Sequence, residues 1–387
     1  MKRYVLTPLA LALAGFTGAA HAQSSVTLYG IIDAGIGYVH NADGNKKQVG
    51  MINGNMNGNR WGIKGSEDLG GGLKAVFQLE SGFDPGTGRL NQGGREFGRQ
   101  AFVGLTSDKY GTVTLGRQYD PLVDMVQGIT GDNFFGGIFA TPGDVDNYDN
   151  SLRTSNAVKY VSPTYAGFQL EGLYGFSNGA GTTGQGQTWS GAATYNNGPV
   201  SVAAGYFYAN NPTANRTTGW NSQSSDSLFN SPVNNGYATA HSIGIARVAA
   251  QYVFGSATVG VSYSNARYSP DGKSGFSETE KYNIGNVFAA YQLTPALLLG
   301  AGYTYMKASG DTSASYHQAS LGADYALSKR TDFYAMAAYQ HASGTQSVYD
   351  AATGGRTTQS AQASIGSYGY AGTSHQEIAI VGIRHKF

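Results

Sequence analysis

The chain has 387 residues, with 57 glycines, 27 tyrosines, 17 phenylalanines, no cysteine and only 13% charged residues. A formal charge of +1 leaves no basic excess for nucleic acid or an anionic membrane surface, and stability must come from something other than disulfides. Past the amino terminus, no apolar run approaches the ~20 residues that a membrane helix needs.

Met1-Lys2-Arg3 leads into an apolar segment from Tyr4 to Ala20 and then into Ala20-His21-Ala22. A basic start, a short apolar stretch and an A-x-A site have the layout of a secretory signal peptide. Residues 1–22 are therefore expected to be cleaved, and residues 23–387 to form one domain. Without Lys2 and Arg3 the balance is 23 basic to 24 acidic residues, a net charge of −1.

Strand-length pieces rich in Val, Thr, Tyr and Phe follow, which favours an all-β chain. From Val26 the residues Val26, Leu28, Gly30, Ile32, Ala34 and Ile36 share one face, with Thr27, Tyr29 and Asp33 on the other. The next strand sets Trp61 and Ile63 against Arg60 and Lys64, and the one after it sets Ala75, Phe77 and Leu79 against Lys74, Gln78 and Glu80. The same alternation separates Phe168, Leu170, Tyr174 and Phe176 from Gln169 and Glu171, and Val259, Val261 and Tyr263 from Thr258, Ser262 and Ser264. One apolar and one polar face along every strand is the period-two pattern of a sheet that meets hydrocarbon on one side and water on the other.

From Gln118 to Leu152 the alternation stops. This stretch carries Asp120, Asp124, Asp132, Asp144, Asp146 and Asp149, an aromatic and glycine run at Phe134-Phe135-Gly136-Gly137, and no Lys or Arg. A loop of this length in a compact fold is functional or disordered. Its Leu122, Val123, Met125, Ile129 and Phe139 argue for order, packed against something basic.

Connections then decide the architecture. Short turns fall at Glu67–Gly72, Ser107–Tyr110, Ser162–Gly167, Asn196–Pro199, Phe254–Ser256, Leu293–Pro295 and Ser328–Thr331. They alternate with long polar stretches such as Asn41–Asn59, Asn210–Ala238, Pro270–Glu280 and Gly344–Thr373. Seven short turns between longer loops give eight hairpins and a 16-stranded antiparallel transmembrane β-barrel with both termini on the short-turn side. Even strand number and asymmetric loops belong to outer-membrane barrels. Tyrosines at strand ends (Tyr160, Tyr195, Tyr252, Tyr291, Tyr325, Tyr339) fit interfacial girdles, and closure satisfies every backbone group in lipid.

Four motifs resemble the Gram-negative general porins, in particular their β-proteobacterial branch. They are Val26-Thr27-Leu28-Tyr29-Gly30, Arg60-Trp61-Gly62-Ile63-Lys64-Gly65-Ser66-Glu67-Asp68-Leu69-Gly70, Gly111-Thr112-Val113-Thr114-Leu115-Gly116-Arg117 and the ending Gly382-Ile383-Arg384-His385-Lys386-Phe387. The resemblance covers the whole mature chain. It implies a homotrimer in the outer membrane, in contact with lipid and lipopolysaccharide, passing ions and small hydrophilic solutes. It also implies that the third long loop, residues 118–152, folds into the lumen and constricts it, and that the terminal Phe387 is an assembly signal.

In that family a basic wall faces acids on the inserted loop. By inward parity and matching position the wall here is Arg60, Lys64, Arg99 and Arg153. Phe134 stands where related porins often carry an acid just before Phe-Gly-Gly, so the acidic side passes to Asp124 or Asp132, with Asp120 beside them. Six loop aspartates against a few arginines lead to an expected weak preference for cations. Arg117 shares parity with the outward Val113 and Leu115. An arginine in lipid costs ~2–4 kcal/mol at mid-depth, which places Arg117 at the trimer interface or near the rim.

Other motifs are weak. Gly179-Ala180-Gly181-Thr182-Thr183-Gly184 fits G-x-G-x-x-G with no helix after it. Asp144 to Asp149 lacks the full spacing of a calcium loop, the seven histidines are scattered, and Asn215-Arg216-Thr217 is a glycosylation motif by pattern only. No cofactor, metal or catalytic residue is assigned. The competing readings are a substrate-selective channel and an adhesin or receptor barrel.

Overall fold

A computed structural model describes residues 25–181, 186–210, 228–350 and 355–387. The signal-peptide segment, the end of the 179–184 glycine motif and the Asn215 motif lie outside the described residues.

Eighteen strands make one sheet among the described residues. The first half comprises β1 (Ser25–Asp43), β2 (Lys46–Asn53), β3 (Arg60–Gly70), β4 (Leu73–Gly82), β5 (Gln100–Ser107), β6 (Gly111–Gln118), β7 (Thr154–Val161), β8 (Phe168–Gly175) and β9 (Thr188–Asn197). The second comprises β10 (Val200–Asn210), β11 (Ser242–Phe254), β12 (Ala257–Ser269), β13 (Glu280–Thr294), β14 (Leu297–Ser309), β15 (Ser313–Ala326), β16 (Thr331–Asp350), β17 (Gly355–Ser360) and β18 (His375–Lys386). Neighbours pair antiparallel, and β1 meets β18 from Ile31↔Lys386 to His40↔Glu377, which closes the barrel.

The barrel has sixteen staves because β2 and β3 share one and β17 stands outside the ring. The lower part of β1 pairs with β3 and its upper part with β2. Between them residues 54–59 bulge inward and are tied to Asp33, whose carboxylate accepts from the Met56 and Asn57 amides at 2.7 and 3.0 Å. The 41–59 stretch is thus not the long loop its polarity suggests: Asp43 and Lys46 pair across a two-residue turn with Gly44 at φ 56°. The 344–373 stretch differs likewise, because β16 continues to Asp350 and pairs with β17. Above the membrane both faces of a strand meet water, so the alternation that marks the staves disappears while the hydrogen-bonded ladder continues.

The outer face is apolar as the alternation requires, with Val26, Leu28, Ile36, Phe168, Leu170, Val261, Leu321 and Val381 all exposed. The packed core lies inside, between wall and inserted loop. Leu122, Met125, Val126, Val145 and Leu152 of the loop bury against Ala203, Phe207, Ile243 and Ile245. Phe135, Ile138 and Phe139 bury against Met56, Tyr334, Met336, Ile378 and Ile380.

Candidate pore constriction

The loop folds as short helical turns at Leu122–Val126, Gln127–Ile129, Asp132–Phe135 and Gly136–Phe139. Its course crosses the lumen from β6 towards β15 and back to β7. Small residues on the far wall make its seat. The Phe135 ring fills the space a Cβ would need at Gly300 and Gly322, and Phe139 does so at Gly302. Gln318 and Ser320 donate to the carbonyl of Ile138 at 3.1 and 2.6 Å. Gly136, at φ 63°, lies so close to the Asn55 carbonyl that a Cβ would sit 2.1 Å from it. On the returning limb Arg247 donates to the Asp146 carbonyl at 2.6 Å and to its carboxylate at 3.1 Å, with both side chains fully buried.

Three of the four expected basic residues converge at the root of the loop. Arg99 donates to Glu80 at 2.8 Å and to the Tyr119 hydroxyl at 2.6 Å. Arg153 lies over the Tyr119 ring with its guanidinium carbon 5.5 Å from the centroid, and Arg60 donates to the Gly58 carbonyl at 2.9 Å. Glu80 also accepts from Tyr29 and Tyr119, both at 2.9 Å. Arg99 is thus bonded to the Glu80 carboxylate, Arg60 lies near enough to feel its charge, and Arg153 joins the cluster through the Tyr119 ring. Lys64 stands apart, exposed and over the Tyr29 ring, four residues or about 13 Å nearer the short-turn end of β3.

The aspartates mostly serve the loop itself. Asp120 is buried and accepts from the Leu122 amide at 2.8 Å and from Asn147 at 3.0 Å, which closes the neck of the loop. Burial pushes it up to about 6. Asp132 is buried, accepts from Gln127, and is raised well above the usual carboxylate range by burial and then by neighbouring Asp149. Asp144 accepts from the Asp149 amide at 2.9 Å and rises to about 8, through burial first and then the charge of Asp149. Asp124, whose side chain is 29% exposed, is ion-paired with Lys159. Lys159 also lies 3.4 Å from Glu171.

These raised values carry a sign. A carboxyl that binds its proton more tightly in the folded state contributes most below its unfolded value near 4. That contribution falls as pH rises through about 6 for Asp120 and about 8 for Asp144. The loop is expected to sit more firmly at pH 5 than at pH 8.5. Amide hydrogen exchange within 118–152 measures this; exchange from more open states at pH 5, after correction for the intrinsic rate, would contradict it.

Glu80, Lys159, Glu171 and Arg247 join the site from the strands. Their inward parity, beside the outward Tyr160, Leu170 and Val248, was available to find Lys159, Glu171 and Arg247. Tyr119, at the loop root, had no periodic signal. Arg117 lies at a bulge between Gly116 and Gln118 and is buried within its own barrel, donating to the Gly98 carbonyl at 2.7 Å and the Ser155 hydroxyl at 2.8 Å. Phe387 exchanges backbone hydrogen bonds with Gly30, both at 3.0 Å, and its ring covers that glycine.

A family model described as Gram-negative porin matches residues 9–345. An outer membrane porin protein of Bordetella pertussis is 36% identical, covering 88% of this chain and 94% of that relative. Outer membrane porin protein 32 of Delftia acidovorans is 35% identical over 51% of this chain and 58% of its own length. Among solved structures, the anion-selective porin from Comamonas acidovorans superposes with a TM-score of 0.70 at 24% identity, covering 94% of this chain and all of that one. A trimer form of OmpT from Vibrio cholerae gives 0.63 at 16% identity, covering 94% and 99%.

Proposed function

This chain belongs to the Gram-negative porin family, and from that premise we propose how its lumen sorts what crosses it. The protein is an outer-membrane channel for passive diffusion of small solutes and not an enzyme. Residues 118–152 narrow the passage, and Arg60, Arg99 and Arg153 give the narrow zone a net positive field that favours small anions. The observation that carries this reading is the convergence of Arg60, Arg99 and Arg153 beside Glu80 and Tyr119, while the loop acids are taken up by the loop's own fold or, at Asp124 and Asp146, by Lys159 and Arg247. The sign is opposite to the one the count of six aspartates suggests. Position and partners, rather than number, set the field at close quarters.

Each wall charge acts modestly. At ~10 Å in water a unit charge changes an ion's energy by about 0.4 kcal/mol, roughly a factor of two in occupancy. Arg60→Ser and Arg153→Ser are each expected to lower the chloride-to-potassium permeability ratio about twofold in dilute KCl, with less effect at high salt. Asp124→Asn should raise the ratio, and Asp132→Asn should raise it less because burial holds that carboxyl towards its neutral form. Reversal potentials of the four variants measure this, and equal shifts from Asp124→Asn and Asp132→Asn would contradict the assignment of roles. Lys64 adds a second positive step towards the short-turn mouth, while Asp120 acts chiefly as a clasp on the loop neck.

The same reading includes a homotrimer in outer-membrane lipid and lipopolysaccharide, formed from mature residues 23–387. In this reading Arg117, which ties the Gly98 carbonyl to Ser155 of β7, steadies the wall that faces the neighbouring barrel. Phe387 completes the first-to-last strand seam and acts as the assembly signal.

A further inference from the structure

The seam that closes the barrel brings together a second set of chemistry-bearing side chains, away from the pore. His40 of β1 pairs directly with Glu377 of β18, and His375 lies two residues before Glu377 on the same outward face. His40 Nδ1 is 2.5 Å from a Glu377 carboxylate oxygen. The two imidazole rings have centroids 5.9 Å apart at 56°, and one ligand atom from each of the three residues lies within 4.8 Å of the others. We propose that His40, His375 and Glu377 form a binding site for a borderline divalent transition metal such as Zn²⁺, which clips the first strand to the last at the outer rim.

The chemistry selects the metal class. Two imidazoles and one carboxylate suit zinc and its neighbours rather than calcium or magnesium, which take oxygen ligands. Metal–ligand bonds of about 2.0–2.2 Å put ligands roughly 3–3.5 Å apart, so small side-chain rotations close the set. Three protein ligands leave the remaining positions to water. The surroundings permit a charged site. Tyr38 and Tyr339 lie one row or one strand away in the exposed aromatic band, and the Asp43–Lys46 turn is only a few residues above. The side chains of His40 and Glu377 are 32% and 38% exposed, so an ion can reach them from water.

Position gives the site its consequence. His40 precedes His375 and Glu377 by more than 330 residues in sequence, and only the closed barrel brings it to them. A metal bound there stabilises the closed state selectively, by linkage. At a free metal concentration about 100 times Kd, the ratio of closed to opened barrel should rise about 100-fold.

The full mature chain, folded in detergent, is titrated with ZnCl₂ against a chromophoric chelator, and its thermal unfolding is followed with zinc or with chelator. One zinc per chain is expected, with a higher unfolding temperature in zinc. His375→Ala and the near-isosteric Glu377→Gln should each weaken binding at least about tenfold and abolish the zinc-dependent shift while leaving unfolding in chelator close to wild type. His341→Ala is the control, since His341 pairs with His375 on the same face but lies outside the three-residue set. Identical wild-type unfolding in zinc and chelator would overturn the proposal. So would zinc binding that survives in a His40→Ala/His375→Ala double variant, or a loss in His341→Ala equal to that in His375→Ala.

Discussion

Replacing Arg247 with Met is expected to unseat the inserted loop. The guanidinium holds both the carbonyl and the carboxylate of Asp146, packs 4.7 Å from the Tyr148 ring centroid and donates to Ser264 at 3.1 Å. Both charged side chains are fully buried, and removing one partner of a buried pair costs about 3–5 kcal/mol because the other charge is left uncompensated. Met keeps much of the stem's volume, so the loss falls on the charge pair. The variant should melt at lower temperature, and its single-channel conductance should be larger and noisier as residues 140–152 leave the β11 wall. Adding Asp146→Asn should restore part of the stability, since no buried charge then lacks its partner. A variant that melts and conducts like wild type would show that this pair does not hold the loop.

Phe135→Ala should free the opposite end of the loop. The ring is fully buried, stacks on Phe139 at 5.0 Å and fills the seat left by Gly300 and Gly322. Truncating a buried phenylalanine costs about 3–5 kcal/mol. Gly322→Val tests the same seat from the wall, because even a Cβ there would lie 2.3 Å from the ring. Both variants should raise conductance and expose residues 118–152 to protease, one by removing the knob and the other by filling its hole. Protease resistance equal to wild type in both would contradict the knob-and-seat account.

Much of this architecture was legible in the sequence because a barrel stave has a strict period of two. Val26, Leu28 and Ile36 declare the lipid side, and Arg60 and Glu80 the water side, with no knowledge of neighbours. The short turns fix the stave count for the same local reason. Legibility ends where the signal becomes non-local. The upper parts of β1, β2, β16 and β17 carry polar residues on both faces, so they read as loops. The acidity of residues 118–152 was plain, but not that Asp146 would spend its charge on Arg247, 101 residues away, or that burial would raise Asp132 and Asp144. The histidines looked scattered because His40 meets His375 only once the barrel closes.

In the proposed channel the arginine wall, not the aspartate count, sets the field in the constriction. The reversal potential of the wild-type channel across a KCl gradient at low ionic strength tests it most directly, where screening is weakest. The expected potential has the sign given by chloride passing more readily than potassium, shrinking towards zero preference as salt is raised. A potential of the opposite sign, with potassium preferred at low salt, would contradict it.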